Sequence, residues 1–273
     1  MKKDYNTVGI GQINILNKSE DALGRYELFI GALRRKPMDI VCVQEMTHPE
    51  ELAEMMKDLG YSHHVKTQMF MNKHGVWDCL GIFSRMPLEE IKFINPYERE
   101  LIGATTVIDG KQYNVFSVHL SWGPGNLLNR LKQVSLVDRI ADVYEKNNSG
   151  SVSIVAGDFN ADAESRPIRF LKGWDLADDG YSSTLWMDAY EEAGSRSNWA
   201  TSDHSVNSYG KKSALKNGVL DTDFIPHRRI DYIFSRGWLY GKNGYPVEFG
   251  YIEDEQGREM SDHNAIYAKL LVL

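Results

Sequence analysis

The chain has little cysteine. Cys42 and Cys79 are the only two in 273 residues. Each sits in an apolar run, "DIVCVQE" and "CLGIFSR". Both therefore read as reduced, buried thiols rather than a disulfide or a thiolate metal site. Long apolar runs are missing as well. No stretch reaches the roughly 20 residues that a membrane-spanning helix needs. The opening "MKKDYNTVGIGQINI" lacks an unbroken apolar core and a small-residue cleavage site, so it does not read as an export signal. A cytoplasmic protein with no membrane partner is the expectation. An excess of positive charge is also absent. Lys and Arg total 31 against 38 Asp and Glu, a net charge of −7. Tight nonspecific binding to a polyanion needs clustered cations, so nucleic acid is the less favoured partner. The dense basic clusters are "LRRK" (33–36) and "HRR" (227–229). The first reads as a helix C-terminus, where positive charge complements the dipole.

Nor is there a linker, an internal repeat or a low-complexity run, so one domain over residues 1–273 is expected. No Gly-x-Gly-x-x-Gly follows a strand, and "GIGQIN" lacks the third glycine. That argues against a dinucleotide fold. What is present is a series of short, β-branched runs. They span 7–15, 39–45, 79–85, 102–109, 113–120, 151–158, 228–235 and 264–273. Their length and composition suit strands. Asp109-Gly110 between two of them signals a hairpin. Helical spacing appears over 19–35, with Ser19 as N-cap, over 49–60 and over 126–148. Residues 174–227 read as loops with one short helix near "LWMDAYEEAG" (185–194). Irregularly alternating strands and helices imply a layered α/β or α+β protein.

The polar residues gather at strand ends. Asn14 closes "GQIN", Glu45 closes "VCVQE" and His119 closes "FSVH". Asp158 and Asn160 follow "SVSIVAG", Asp231 lies in "RRIDYIF", and Asp262 and His263 precede the last strand. Taken alone, each reads more simply as a cap, a turn residue or a satisfied core histidine. If the ends converge, carboxylates, amides and imidazoles surround one point. Glu45, Asp158 and Asp262 then suit Mg²⁺ or Mn²⁺, hard ions that prefer oxygen ligands. His119 and His263 then donate to anionic oxygens or move protons. Such a set fits metal-assisted hydrolysis of a phosphoester.

In this order, "QINI", "VQE", "SVHL", "GDFN", "RRIDYIF" and "SDHNAI" resemble the endonuclease/exonuclease/phosphatase superfamily. "LGIFSRMPL" (80–88) and "RLKQVSLVDRI" (130–140) fit too, and the resemblance runs from about residue 7 to 270. It implies a deoxyribonuclease-like, four-layer α/β (α+β) sandwich: two packed mixed β-sheets flanked by helices. It also implies a divalent-metal hydrolase in which water attacks phosphorus. Carried over, Glu45 would bind the metal, with Asn14 beside it and Asp262 in support. His119 would donate to a nonbridging oxygen, and Asn160 would hold the phosphate. Asp158 would position or deprotonate the water, or assist the leaving group. His263, oriented by Asp231, would stabilise the pentacovalent state or act as base.

Fold and motor do not select a branch. Ser117-Val118-His119-Leu120 lacks the tyrosine motif of branches that cut abasic DNA. Ala156 before Gly157 and Arg229-Ile230-Asp231 late in the chain lack the inositol-phosphatase signatures. Trp122, Trp186 and Trp199 are candidates to stack on a sugar or a base, against the alternative that they pack. Acidity and Trp-bearing loops suit a small phosphorylated substrate, a phosphomonoester of the maltose 6'-phosphate type. The alternatives are a nuclease or DNA-repair phosphodiesterase, which needs a basic rim, and a noncatalytic binding module on the same scaffold.

Overall fold

The β-branched runs become the strands of two sheets, seen in a computed structural model. It describes residues 6–18, 20–72, 75–97, 101–183, 185–195, 199–216, 218, 227–237 and 242–273. Ser19, the expected N-cap, lies outside them. With elements numbered in chain order, the first sheet holds β1 (Thr7–Asn14), β2 (Ile40–Met46), β3 (His63–Lys66), β4 (Phe70–Met71), β5 (Trp77–Ser84), β12 (Pro246–Ile252) and β13 (Ala265–Leu271). Its order is β12-β13-β1-β2-β5-β3, with β4 also on β5. The second holds β6 (Glu89–Glu90), β7 (Leu101–Ile108), β8 (Lys111–His119), β9 (Val152–Asp158), β10 (Trp186–Asp188) and β11 (Asp231–Arg236), in the order β10-β11-β9-β8-β7-β6.

The sheets pack face to face. Ile10, Ile40 and Ile82 of the first meet Val115, Ile154 and Ile233 of the second, all fully buried. Burying each such side chain contributes about 1.5–3 kcal/mol. Helices α1 (Ala22–Arg35) and α2 (Pro49–Lys57) cover the outer face of the first sheet through Tyr26, Phe29, Leu33 and Met56. Helices α3 (Leu127–Asn147) and α4 (Arg166–Leu171) cover the second through Leu131, Val134, Val137 and Ile168. The four-layer sandwich expected from the sequence is the fold observed. Asp109 and Gly110 make the expected hairpin turn, both left-handed at φ 50° and 74°.

Some elements differ from the sequence reading. The expected helix near 185–194 divides into β10 and then α5 (Ala189–Ala193), with Asp188 accepting from Tyr190 N–H at 3.0 Å as its cap. Helix α6 (Ser208–Lys216) forms in a stretch read as loop. Strand β12 gave no signal because it is half-exposed along most of its length and lacks a continuous apolar run.

Strand direction decides where the site lies. Strands β1 and β2 run parallel, as do β8 and β9. Strand β13 runs antiparallel to β1, and β11 antiparallel to β9. The ends of β1, β2, β8 and β9 therefore share one edge of the sandwich with the beginnings of β11 and β13.

Candidate active site

In the second sheet the register sets His119, Asp158 and Asp231 abreast on adjacent strands. The first sheet brings Asn14 and Glu45 to the same edge, and His263 stands just before β13. Asp158 is the meeting point. Its Oδ2 accepts from Asn14 Nδ2 at 3.1 Å. The same oxygen lies 3.7 Å from His119 Nε2 and 3.8 Å from His263 Nε2. His119 Nε2 also lies 3.7 Å from Glu45 Oε1. His263 Nδ1 and Asp231 Oδ2 are hydrogen-bonded at 2.8 Å. Groups from both sheets thus meet across the seam between them.

The backbone is bent to make this possible. Glu45 is left-handed at φ 62°, and the pairing of β2 with β5 slips between Val43 and Met46. A non-glycine residue in that state costs roughly 1–2 kcal/mol, and the slip re-aims its side chain. The aim is fixed by Asn17 N–H, which donates to Glu45 Oε2 at 2.7 Å. Asn17 Nδ2 in turn donates to the buried Asp78 at 2.9 Å. Asn160 is also left-handed, at φ 47°. Its N–H donates to Asp158 Oδ1 at 2.8 Å and its Nδ2 to Leu120 O at 3.0 Å. Gly157 has φ 152°, and a Cβ there would meet Val118 O at 1.9 Å. Only glycine allows β8 and β9 to approach this closely beside Asp158.

Charge follows burial and pairing. Burial pulls His263 towards neutrality, but Asp231 and Asp158 outweigh it and hold its pKa well above the usual imidazole value. Burial pushes the Asp231 carboxyl up, and His263 opposes that shift. Cys42 and Cys79 stay thiols, pushed by burial to about 12 and about 11. The site offers carboxylate, amide and imidazole groups and no thiolate, a donor set that fits a hard divalent cation. Ligand atoms of Asp158, Asp231 and His263 lie within 4.8 Å of one another. The hydrogen bond between the last two accounts for much of that closeness. Asp262 stands beside Ser261, whose Oγ lies 2.6 Å from Asn14 O and 3.3 Å from Asp262 Oδ1.

The three tryptophans part company. Trp122 is 58% exposed, on a loop tied down by Arg130 Nη1, which donates to Ser121 O at 2.7 Å and Gly123 O at 2.9 Å. Trp199 is 42% exposed, its ring 6.5 Å from that of His227. Trp186 is buried instead, and its Nε1 donates to the buried Asp138 at 2.7 Å. The sequence-based assignment of Trp186 to a substrate site is therefore corrected to core packing.

Two side chains near the site, His204 and Arg228, are not among the expected site residues. His204 is kept from charging chiefly by burial, against the pull of Asp262. Arg228 donates to both oxygens of Asp162, at 3.0 and 2.9 Å, and its charge acts on Asp158. Arg228 stood in the quoted basic cluster, so its signal was visible but its placement was not. His204 carried no pattern. All of "HRR" is paired: His227 with Asp203 at 3.0 Å, Arg228 with Asp162, and Arg229 with Asp188 at 2.6 Å. In "LRRK", Arg35 faces Asp254 and Glu255, and Lys36 faces Glu248.

No curated protein matches this chain. TDP2 of D. rerio, solved with a single strand DNA product, is 20% identical, with a TM-score of 0.67 over 98% of this chain and 100% of that one. Truncated TDP2 of Caenorhabditis elegans is 18% identical, with a TM-score of 0.67 over 97% of this chain and 98% of that one. An endonuclease/exonuclease/phosphatase family protein of Leptotrichia buccalis is 16% identical, with a TM-score of 0.65 over 97% and 100%. At these identities the likeness is one of fold. The family model described as "Endonuclease/Exonuclease/phosphatase family" matches residues 11–263, nearly the whole chain and every strand end that meets at Asp158, and the chain belongs to that family.

Proposed function

We propose that this metal-dependent phosphoester hydrolase acts on a small phosphorylated substrate, a phosphomonoester of a sugar. The observation that carries the reading is that most cationic side chains of its basic clusters are paired with carboxylates. Each side chain of "HRR" is engaged by a carboxylate, as are Arg35 and Lys36. A long polyanion needs cations left available to release its counterions. The exposed indole of Trp122, three residues beyond His119, suits stacking on a sugar ring.

Each side chain has a part in that reaction. Glu45, Asp262 and Asn14 would hold Mg²⁺ or Mn²⁺, which when bound offsets phosphoryl charge and acidifies water. Asn160 and His119 hold nonbridging oxygens. Asp231 and Asp158 favour the charged form of His263 over the pull of burial, which suits it to donate to the phosphoryl group as charge builds there. The proton of the attacking water then goes to Asp158, which Asn14 and Asn160 N–H fix in place. The test is phosphate release in Mg²⁺ from sugar phosphates, maltose 6'-phosphate included, from nucleotides and from short oligonucleotides. Release from oligonucleotides alone defeats this reading.

A second reading is a DNA phosphodiesterase. It is favoured by likeness over 98% of the chain to TDP2 of D. rerio solved with a single strand DNA product. Oligonucleotide affinity that falls steeply with salt supports it.

A further inference from the structure

We propose that Gln12, backed by Gln44 and Ser117, is a positioning residue that fixes the Asp231 carboxylate and through it the His263 imidazole. The kinetic part of this rests on the hydrolysis proposed above; the hydrogen-bond part does not.

Gln12 lies in β1, fully buried. Its Nε2 donates to Asp231 Oδ1 at 3.0 Å and to Gln44 Oε1 at 2.8 Å. Gln44 Nε2 donates to Ser117 Oγ at 3.1 Å. Gln44 and Ser117 are also fully buried. The row crosses from β8 to β2, to β1 and to β11, and so passes between the sheets twice. Around it lie Ile10, Cys42, Val115 and Ile154. Polar side chains in such a layer cost free energy that apolar ones would not.

The direction of the row is dictated by chemistry. Both neighbours of the Gln12 amide, Asp231 Oδ1 and Gln44 Oε1, are acceptors. Flipping the amide would set oxygen against oxygen twice, so Nε2 faces them. Both of its protons are thereby used. Its Oε1 is left buried with no hydrogen-bond partner. A bridge built only to join two sheets would gain by satisfying both ends. This one leaves the acceptor bare and spends both donors on one line.

The consequence falls on His263. Asp231 is held at three points: Oδ1 by Gln12, Oδ2 by His263 Nδ1, and its backbone N–H on Thr201 Oγ1 at 3.0 Å. Rotation of the carboxylate breaks the Gln12 bond, so Oδ2 stays the partner of His263. The imidazole is then kept with Nε2 towards Asp158. Gln44 orients Gln12 as Gln12 orients Asp231.

The experiment uses the Mg²⁺-loaded protein and two readouts. The first is the low-field proton NMR signal of His263 Nδ1–H, assigned by its loss in Asp231→Asn. The second is turnover of p-nitrophenyl phosphate. In Gln12→Met, close in shape but without donors, the signal is expected to move upfield or broaden. Turnover (kcat) should fall about 10–100-fold with KM unchanged, the usual effect of removing a supporting partner. Gln44→Met should act in the same sense and more weakly. A lowered melting temperature with an unmoved signal and unchanged kcat would make the row a purely structural bridge and overturn the proposal. If Gln12→Met does not fold, Gln44→Met is read by the same criteria. Lack of turnover in the wild type would count against the hydrolase reading, while the proton signal would still decide the positioning role.

Discussion

The two ends of the sandwich use the same backbone state for different ends. Where β7 turns into β8, Asp109 and Gly110 are left-handed, and the outcome is a hairpin. Where β2 and β9 finish, Glu45 and Asn160 are left-handed, and the outcome is a cluster of aimed side chains. The turn uses residue types that suit it: Gly110 has open space around it, and Asp109 accepts from Asn6. A glutamate is a poor choice for that conformation, and Asn17 N–H holds it there. At Glu45 the same backbone holds a residue type that does not favour it, an outlier that points to a function rather than a turn.

The largest effect that tests this contrast is loss of reaction at one end only. Glu45→Ala and Asp158→Ala should each lower kcat/KM on the best phosphoester by about 10³-fold, with melting temperatures close to wild type. EDTA should do the same to the wild type, and Mg²⁺ or Mn²⁺ should reverse it. Substitution of Asp109 should leave turnover unchanged. Turnover in Asp158→Ala close to wild type would break the comparison.

Next in size is a contrast of stability. Trp186→Ala should cost about 3–5 kcal/mol in urea unfolding, because it empties a core site and strands Asp138. Trp122→Ala should change stability by less than about 0.5 kcal/mol. It should raise KM for a sugar phosphate more than for p-nitrophenyl phosphate. Equal KM shifts would make Trp122 a packing residue.

A third expectation concerns pH in the metal-free protein. Burial alone would lower the His263 pKa, but Asp231 and Asp158 raise it above its unfolded value near 6.5. Its contribution to stability is therefore complete below about pH 6.5 and is lost as pH rises through the folded value. Asp231→Asn removes the nearest charge. That contribution should shrink or change sign, as seen in urea midpoints at about pH 5 and about pH 9. Parallel curves for wild type and Asp231→Asn would refute the pairing.

The smallest effect separates strain from chemistry. Glu45→Gly should be as inactive as Glu45→Ala yet about 1 kcal/mol more stable, because glycine accepts the left-handed state. Asp109→Gly should exceed Asp109→Ala by a similar margin, with activity intact in both.

Much of this was legible in the sequence, for a definite reason. Strands buried on one or both faces must be apolar, so "SVSIVAG" and "VCVQE" announce themselves, and a polar residue that ends such a run stands out. Asn14, Glu45, His119 and Asp158 stand out that way, and Asp231 and His263 by opening or preceding such a run. The failures also share a cause. Strand β12 is half-exposed, so no apolar run betrays it. Trp186 reads the same in a loop as in a core until Asp138, 48 positions away, is seen to accept its N–H. His204 and Arg228 come near the site through segments without a periodic pattern. The left-handed state of Glu45 has no sequence mark, because nothing about a glutamate asks for it.

Asp158 and Glu45 belong to different sheets, and the layer of side chains between those sheets spaces them. Ile10, Cys42, Val115 and Ile154 thus act as the shim that sets the gap between those two carboxylates. Swelling or compressing that layer changes the gap directly, whichever residue is altered. Heat or pressure that loosens it should silence the enzyme while its strands are still paired, so inactivation would run ahead of unfolding.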